Sequence, residues 1–288
     1  QFGLTMHEGA AILGEVPVYS DGSWEAKVPP YLPYHLQPLD EFGLAIRNQL
    51  LWIQASPGET RRCGGCHASR SDNILPRMGA TTLAQQAGPV DLTGTIADRT
   101  EFPWFNSAVE SEISPGYKNV QDLFNAKCVS CHSGGANDPF KDRSYEVVTT
   151  LEDGTELMQE IPYLDLSDAP IQAYYEREVV TYPASYVSLL YPSAMMGDSV
   201  ATGDVAPEWI SPGSARGSRL IAKVNAESES TAGKFAWETA AHPEDVGEAP
   251  LTREERMLLI RMADLGGQYW SRRNVEGAAD WNSATEYP

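Results

Sequence analysis

The sequence predicts an α+β fold: a small antiparallel β-unit over residues 1–67, an irregular connector over 68–114, a helical domain over 115–275 and a tail over 276–288. Three observations predict it. Residues 9–56 hold short apolar runs split by turn residues, the pattern of a β-meander. Residues 252–265 carry both a helix start and a helix stop signal. Between these regions the chain turns to Gly, Pro, Thr, Asn and Asp with little periodicity. A length of 288 residues fits about two domains at roughly 150 residues each, and a hydrophobic share of 42% suffices for packed cores.

Each element has its own justification. In the β-unit, the run 12–18 is parted from 24–28 by Ser20-Asp21-Gly22-Ser23, a third run follows at 36–39, and Asp40-Glu41-Phe42-Gly43 precedes a further run ending at Ile53. Ser56-Pro57-Gly58-Glu59 then turns the chain. The connector reads as ordered coil. Val120, Leu123 and Phe124 fall on one side of a helix over 120–127. Residues 138–215 read as a long insertion carrying Tyr145, Tyr163, Tyr174, Tyr175, Tyr182, Tyr186 and Tyr191, whose rings are expected to pack over the functional face with their hydroxyls wet. The final helix opens on a capping box, Thr252 with Glu255, shows Leu258, Met262 and Leu265 on one face, and ends at Gly266-Gly267.

Charge and hydropathy exclude two classes of partner. Lys and Arg number 21 against 40 Asp and Glu, a formal charge of −19, so a phosphate-tracking surface for nucleic acid is excluded. No apolar run approaches the roughly 20 residues that span a bilayer, so no membrane span is expected. The chain opens on Gln1 with no basic-then-apolar leader, and reads as mature or truncated.

All four cysteines lie in two pentapeptides, Cys63-Gly64-Gly65-Cys66-His67 and Cys128-Val129-Ser130-Cys131-His132. C-x-x-C-H is the spacing of covalent c-type haem attachment. Two thiols about one helical turn apart form thioethers with the haem vinyl groups, and the adjacent histidine becomes the proximal iron ligand. A pair of C-x-x-C disulfides, or a cysteine-rich zinc site, leaves the identically placed His67 and His132 unexplained. Two covalently attached haem c groups are therefore expected, held by Cys63, Cys66, Cys128 and Cys131 and ligated by His67 and His132. The motif implies maturation outside the cytoplasm, so a periplasmic or extracellular protein is expected.

Three further histidines, His7, His35 and His242, remain for the two distal positions. Histidine on both sides makes an iron that passes electrons and binds no substrate, whereas methionine raises its potential. His242, in Ala240-Ala241-His242-Pro243-Glu244, leads into the last helix, which is expected to pack against the helix before the second motif; it is the candidate for the second haem. Met195 and Met196 are its rivals. For the first haem, His35 in Tyr34-His35-Leu36 and His7 both stand as candidates, and His7 can also serve a neighbouring copy.

A family resemblance adds to this reading. Residues 12–18, Asp21-Gly22-Ser23-Trp24, Val28-Pro29, Leu36-Gln37-Pro38-Leu39-Asp40, Gly43, Trp52 and Pro57-Gly58-Glu59 ahead of the first motif resemble the C-terminal haem region of hydrazine synthase alpha-subunit-like proteins, which would make the chain a multihaem c-type cytochrome. Val120-Gln121, the second motif, Gly217-Ser218-Arg219-Leu220, His242, Leu251-Thr252 and Ala263-Asp264-Leu265-Gly266 resemble the second cytochrome segment of those proteins, where the histidine at 242 is axial. The resemblance implies a helical cytochrome c-like domain with much irregular chain packed around two haems. The family's β-propeller and catalytic haem domain lie before this region, so it implies the electron-transfer module and not hydrazine chemistry.

The function expected from the sequence is a dihaem cytochrome carrying electrons between redox partner proteins, as a subunit of a larger complex or of a filament in which copies stack haem to haem. The alternative is a peroxidase-like dihaem enzyme with one open iron, for which no cluster of His, Arg and acid stands out.

Overall fold

The fold is described from a computed structural model over residues 12–49, 52–64, 80–94, 116–175, 178–194, 199–225 and 242–269. These residues fall into two compact units. One comprises 37–48 together with the described residues from 116 onward, and the other comprises 12–36 and the described residues between 49 and 94.

In the smaller unit, strand β1 (Ala26–Lys27) pairs in parallel with β2 (Val90–Asp91), and Tyr34 forms a single antiparallel bridge to Ile53. Among the described residues of this unit, the small antiparallel sheet expected from the sequence is thus reduced to this two-residue parallel pair and a single antiparallel bridge. Pro29, Pro30 and Pro33 explain the reduction, because each removes a ladder donor just where a strand would propagate. The connector holds a helix that composition did not announce, α1 (Leu83–Ala87), closed by a capping box between Thr82 and Gln85. The predicted turn at 20–23 supports its start: Asp21 Oδ2 accepts the Leu83 amide at 2.9 Å and Ser23 Oγ accepts the Ala84 amide at 3.1 Å.

The larger unit starts, beyond 37–48, with α2 (Val120–Lys127). The Asn119 side chain caps it by accepting the Asp122 amide, and Val120, Leu123 and Phe124 are buried at i, i+3 and i+4. Next come β3 (Ser144–Thr150) and β4 (Glu156–Pro162), an antiparallel pair joined through Leu151–Thr155 backbone bonding, with Gly154 at φ 82° in the turn. Tyr145, Val147 and Thr149 alternate inward from β3. Strands β5 (Pro170–Tyr175) and β6 (Glu178–Pro183) form a separate hairpin, and β7 (Ser199–Thr202) pairs with the free edge of β3, giving sheet order β4-β3-β7. The 138–215 stretch, expected as an insertion laying tyrosines over the functional face, therefore supplies the strands of this unit.

Helix α3 (Ala184–Ala194) follows β6 directly and is buried on all sides from Ala184 to Tyr191. Such a helix must satisfy its polar groups internally. Ser188 Oγ donates to the Asp165 carbonyl at 2.7 Å, and the Tyr186 hydroxyl donates to the Gly267 carbonyl at 2.9 Å. The Ser185 hydroxyl donates to Gln121 Oε1 on α2. Tyr145, Tyr186 and Tyr191 are among the largest fully buried side chains, so these tyrosines build the core.

Helix α4 (Arg219–Val224) follows a 3-10 turn, Ala215–Gly217, and buries Leu220, Ile221, Ala222 and Val224. Helix α5 (Arg253–Asp264) matches the sequence reading, with Thr252 and Glu255 forming the capping box. Its end is a Schellman motif: Gly267 donates to the Met262 carbonyl and Gly266 to the Ala263 carbonyl, with both glycines at positive φ. Among the described residues no helix is long and apolar enough to cross a membrane.

Candidate haem site

The second motif grows out of α2. The Phe124 carbonyl accepts the amides of Cys128 at 2.8 Å and Val129 at 3.0 Å, so helical geometry continues into the motif. The Cys128 carbonyl then accepts the amides of Cys131 at 3.0 Å and His132 at 2.9 Å. This turn presents both thiols and the imidazole at the end of a buried helix. Tyr117 and Lys127 fix that helix against α5, the Tyr117 hydroxyl donating to Glu255 Oε1 at 2.5 Å and Lys127 Nζ standing 3.6 Å from the same atom.

Neither Cys128 nor Cys131 is in a disulfide. Burial, reinforced by the charge of Glu255 and by Cys131, pushes the Cys128 thiol up to about 12. A thiol held protonated is a poor disulfide-exchange nucleophile. Burial also holds the His132 imidazole below its usual range, leaving it neutral as a metal ligand must be.

The structure brings His132 and His242 together. Their ring centroids lie 5.9 Å apart with an interplanar angle of 57°. Two imidazoles bound through ring nitrogens to opposite sides of one metal, at about 2 Å each, have centroids roughly 6 Å apart. His132 Nδ1 is buried without a hydrogen-bond partner, an arrangement native structures rarely keep for its own sake. Among the described residues no group of three or more His, Cys, Asp or Glu side chains is placed to hold a metal ion. Two histidines would nonetheless be the protein's full share for haem iron, since the porphyrin would supply the other four ligands. The residues present fit the group.

His242 is oriented by its surroundings. Its amide donates to the Lys223 carbonyl on α4 at 3.0 Å, and its Nδ1 lies 2.7 Å from Asp245 Oδ1. Asp245 Oδ2 accepts from Lys223 Nζ at 2.9 Å. Burial raises the Asp245 carboxyl, but Lys223 and His242 outweigh it and hold the group below the usual carboxylate range, ionised. Behind His132 stands an aromatic wall. Phe140 stacks at 6.0 Å from the imidazole, Tyr163 lies 5.3 Å from Phe140, and Trp209 completes the group, its Nε1 donating to the Tyr163 carbonyl at 3.0 Å. Two guanidiniums lie on this wall, Arg143 at 3.7 Å from the Tyr163 ring centre and Arg219 at 5.8 Å from that of Trp209. Sequence reasoning missed Asp245, Lys223, Phe140, Arg143 and Trp209. Only Asp245 left a signal, an acid three residues after His242.

Of the first motif, Cys63 is exposed, while Cys66 and His67 lie outside the described residues, as do His7, Met195 and Met196. Tyr34 is close enough to Cys63 to feel its charge; burial chiefly raises the Tyr34 hydroxyl, Arg61 opposes, and Cys63 and Glu59 add to the rise. His35 and Trp52 are the next cross-strand pair after the Tyr34–Ile53 bridge, and their rings stack at 4.6 Å with planes 10° apart. The candidate distal histidine of the first motif thus shares its strand position with an indole face.

Comparison with known proteins agrees with the resemblance in part. Residues 2–68 match the family described as the hydrazine synthase alpha subunit middle domain. That assignment corrects the resemblance, which placed this stretch in a C-terminal haem region. Hydrazine synthase subunit alpha of Kuenenia stuttgartiensis is 35% identical over 63 residues, covering 22% of this chain and 8% of the relative. The solved structure of Kuenenia stuttgartiensis hydrazine synthase contains a chain that superposes with a TM-score of 0.53 at 20% identity, covering 93% of this chain and 34% of that one. The chain therefore spans about a third of the length of the structure it resembles, and at this identity the likeness over most of its length is one of fold.

Proposed function

We propose that this chain is a dihaem c-type cytochrome that carries electrons between redox proteins. The observation that supports this most directly is the pair His132 and His242, whose ring centroids lie 5.9 Å apart, a spacing suited to two ligands of one iron. When bound, haem would supply a one-electron couple, and ligation by both His132 and His242 would leave no position on the iron for a reactant. The chain's own residues do the rest. Cys128 and Cys131 anchor, His132 and His242 ligate, Phe140 and Trp209 exclude water, and Arg143 and Arg219 are the cations available to carboxylate groups on the cofactor. In this reading Cys63, Cys66 and His67 would hold the first haem, with His35 or His7 as its further ligand. The protein works in the periplasm or outside the cell, as a subunit of a larger assembly or a filament of its own copies, and its acidic surface selects basic partners.

The test is spectroscopic. The purified full chain should carry two haems by pyridine haemochrome assay and intact mass, and its reduced spectrum should be low-spin and indifferent to carbon monoxide. His242→Ala should turn one haem high-spin and make it bind carbon monoxide. A haem-free protein, or a His242→Ala spectrum identical to wild type, would overturn the proposal. A wild-type haem that binds carbon monoxide would favour the peroxidase-like alternative.

A further inference from the structure

We propose that Asp245, steadied by Lys223, is a positioning residue that fixes the Nδ1–H tautomer of His242, turns Nε2 toward the iron and strengthens the imidazole as a donor, so lowering the midpoint potential of that haem. The inference rests on the reading above that His242 is an axial ligand. Its basis is an asymmetry between the two histidines. On the His242 side, Asp245 Oδ1 is 2.7 Å from Nδ1, and the other carboxylate oxygen is 2.9 Å from Lys223 Nζ. The same lysine's carbonyl accepts the His242 amide, so histidine, acid and lysine form a closed three-residue unit. The acid lies in the 3-10 turn Glu244–Val246, which ends at Gly247 in the left-handed conformation. On the His132 side, Asp138 is 3.9 Å from Nδ1, too far for a hydrogen bond. Its oxygens are committed elsewhere, Oδ2 to the Gly134 amide at 2.8 Å and Oδ1 to the Phe140 amide at 2.7 Å. Asp138 shapes a loop; Asp245 addresses a ligand.

A carboxylate hydrogen-bonded to the far nitrogen of a ligating histidine raises its basicity, and a more basic axial ligand favours ferric over ferrous iron. A merely structural role would predict something else. Lys223 and Asp245 are partly exposed, and an exposed ion pair contributes little to stability. The two roles separate in the haem-loaded full chain. Asp245→Asn should keep a low-spin spectrum while raising the midpoint potential of one haem, shifting its reduced-to-oxidised ratio at fixed potential about tenfold, which is about 59 mV for one electron. Glu244→Gln removes the same charge one residue away without touching His242 and should shift the ratio less than about twofold. Asp245→Glu should restore most of the wild-type potential. Should Asp245→Asn give no haem-loaded protein, Lys223→Gln carries the test: a carboxylate relieved of its cation pulls harder on His242, and the potential falls.

A low-spin Asp245→Asn protein whose potential moves no more than that of Glu244→Gln overturns this inference and leaves the histidine pair standing, as does an unmoved potential in Lys223→Gln. An unchanged spectrum in His242→Ala overturns the reading beneath it.

Discussion

Asp264, the last residue of α5, offers the most quantitative test of the scaffold. It is 4% exposed, and its two oxygens accept the Ala45 amide at 2.8 Å and the Ala215 amide at 2.6 Å. It thereby ties residues 37–48 and the turn before α4 to the end of α5. Burial pushes its carboxyl above the ordinary range, against the two amides and Arg216, so the charge itself is held at a cost. Removing the acceptor is costlier. Asp264→Ala orphans two buried amide donors at about 1–3 kcal/mol each, a loss of about 2–6 kcal/mol. Asp264→Asn keeps one acceptor and sets an amide against the other donor, so about half that loss is expected. The pH dependence has a definite sign. Between the unfolded carboxyl value and the raised native one the folded state binds more protons, so this residue's contribution falls as pH rises through that window. Urea denaturation followed by circular dichroism at several acid pH values measures both effects. An Ala variant losing less than about 1 kcal/mol, or keeping the wild-type pH slope of stability, would refute the reasoning.

Three further outcomes are expected. Gly267→Ala should destabilise by about 1–3 kcal/mol in the same assay, because the residue sits at φ 62° and a Cβ there would stand 2.9 and 3.0 Å from the two Cδ methyls of fully buried Leu190. Thr252→Ala removes one half of the α5 capping box and should cost about 1 kcal/mol, read as a lowered urea midpoint with an unchanged slope. His242→Met should leave the site six-coordinate but raise its midpoint potential in a redox titration; an unmoved potential would remove residue 242 from the iron.

What the sequence made legible was local. The signals for α2 and α5 sit within the helices themselves: an Asn or Thr cap, an apolar stripe at i, i+3 and i+4, and a glycine pair at one end. The second C-x-x-C-H motif stood out by its spacing, and His242 because few histidines remained; the structure brings its ring within 5.9 Å of that of His132. The sheet was not. Ser144–Thr150 alternates inward and outward, but its partner β7 lies some fifty residues on, and strand pairing at that distance leaves no local mark. Reading the tyrosines as a cover for a cofactor hid the strands and the buried helix they belong to. In the β-unit the error ran the other way, since apolar runs suggested ladders that the prolines between them interrupt. The aromatic wall escaped notice because Phe140, Tyr163 and Trp209 meet only after the chain has folded back twice.

The spacing of the histidine pair is a property of one helix. His132 is carried on the end of α2, which packs on α5 through Tyr117, Lys127 and Glu255. His242 is tied through its amide to Lys223 on α4, and α4 also packs on α5. Neither histidine bonds to the other, so the 5.9 Å between them is fixed by how two short helices sit against a common third. Metal ligation tolerates errors of only a few tenths of an ångström. The larger unit holds α5 at both ends, with a capping box at one, a Schellman motif and Asp264 at the other, and the Tyr186 hydroxyl of α3 bonded to the Gly267 carbonyl behind it. Under the proposed function, a reference helix with the two histidines hung from its neighbours would suit a centre that changes charge without changing shape, because a one-electron step is fast only when little around an iron has to rearrange.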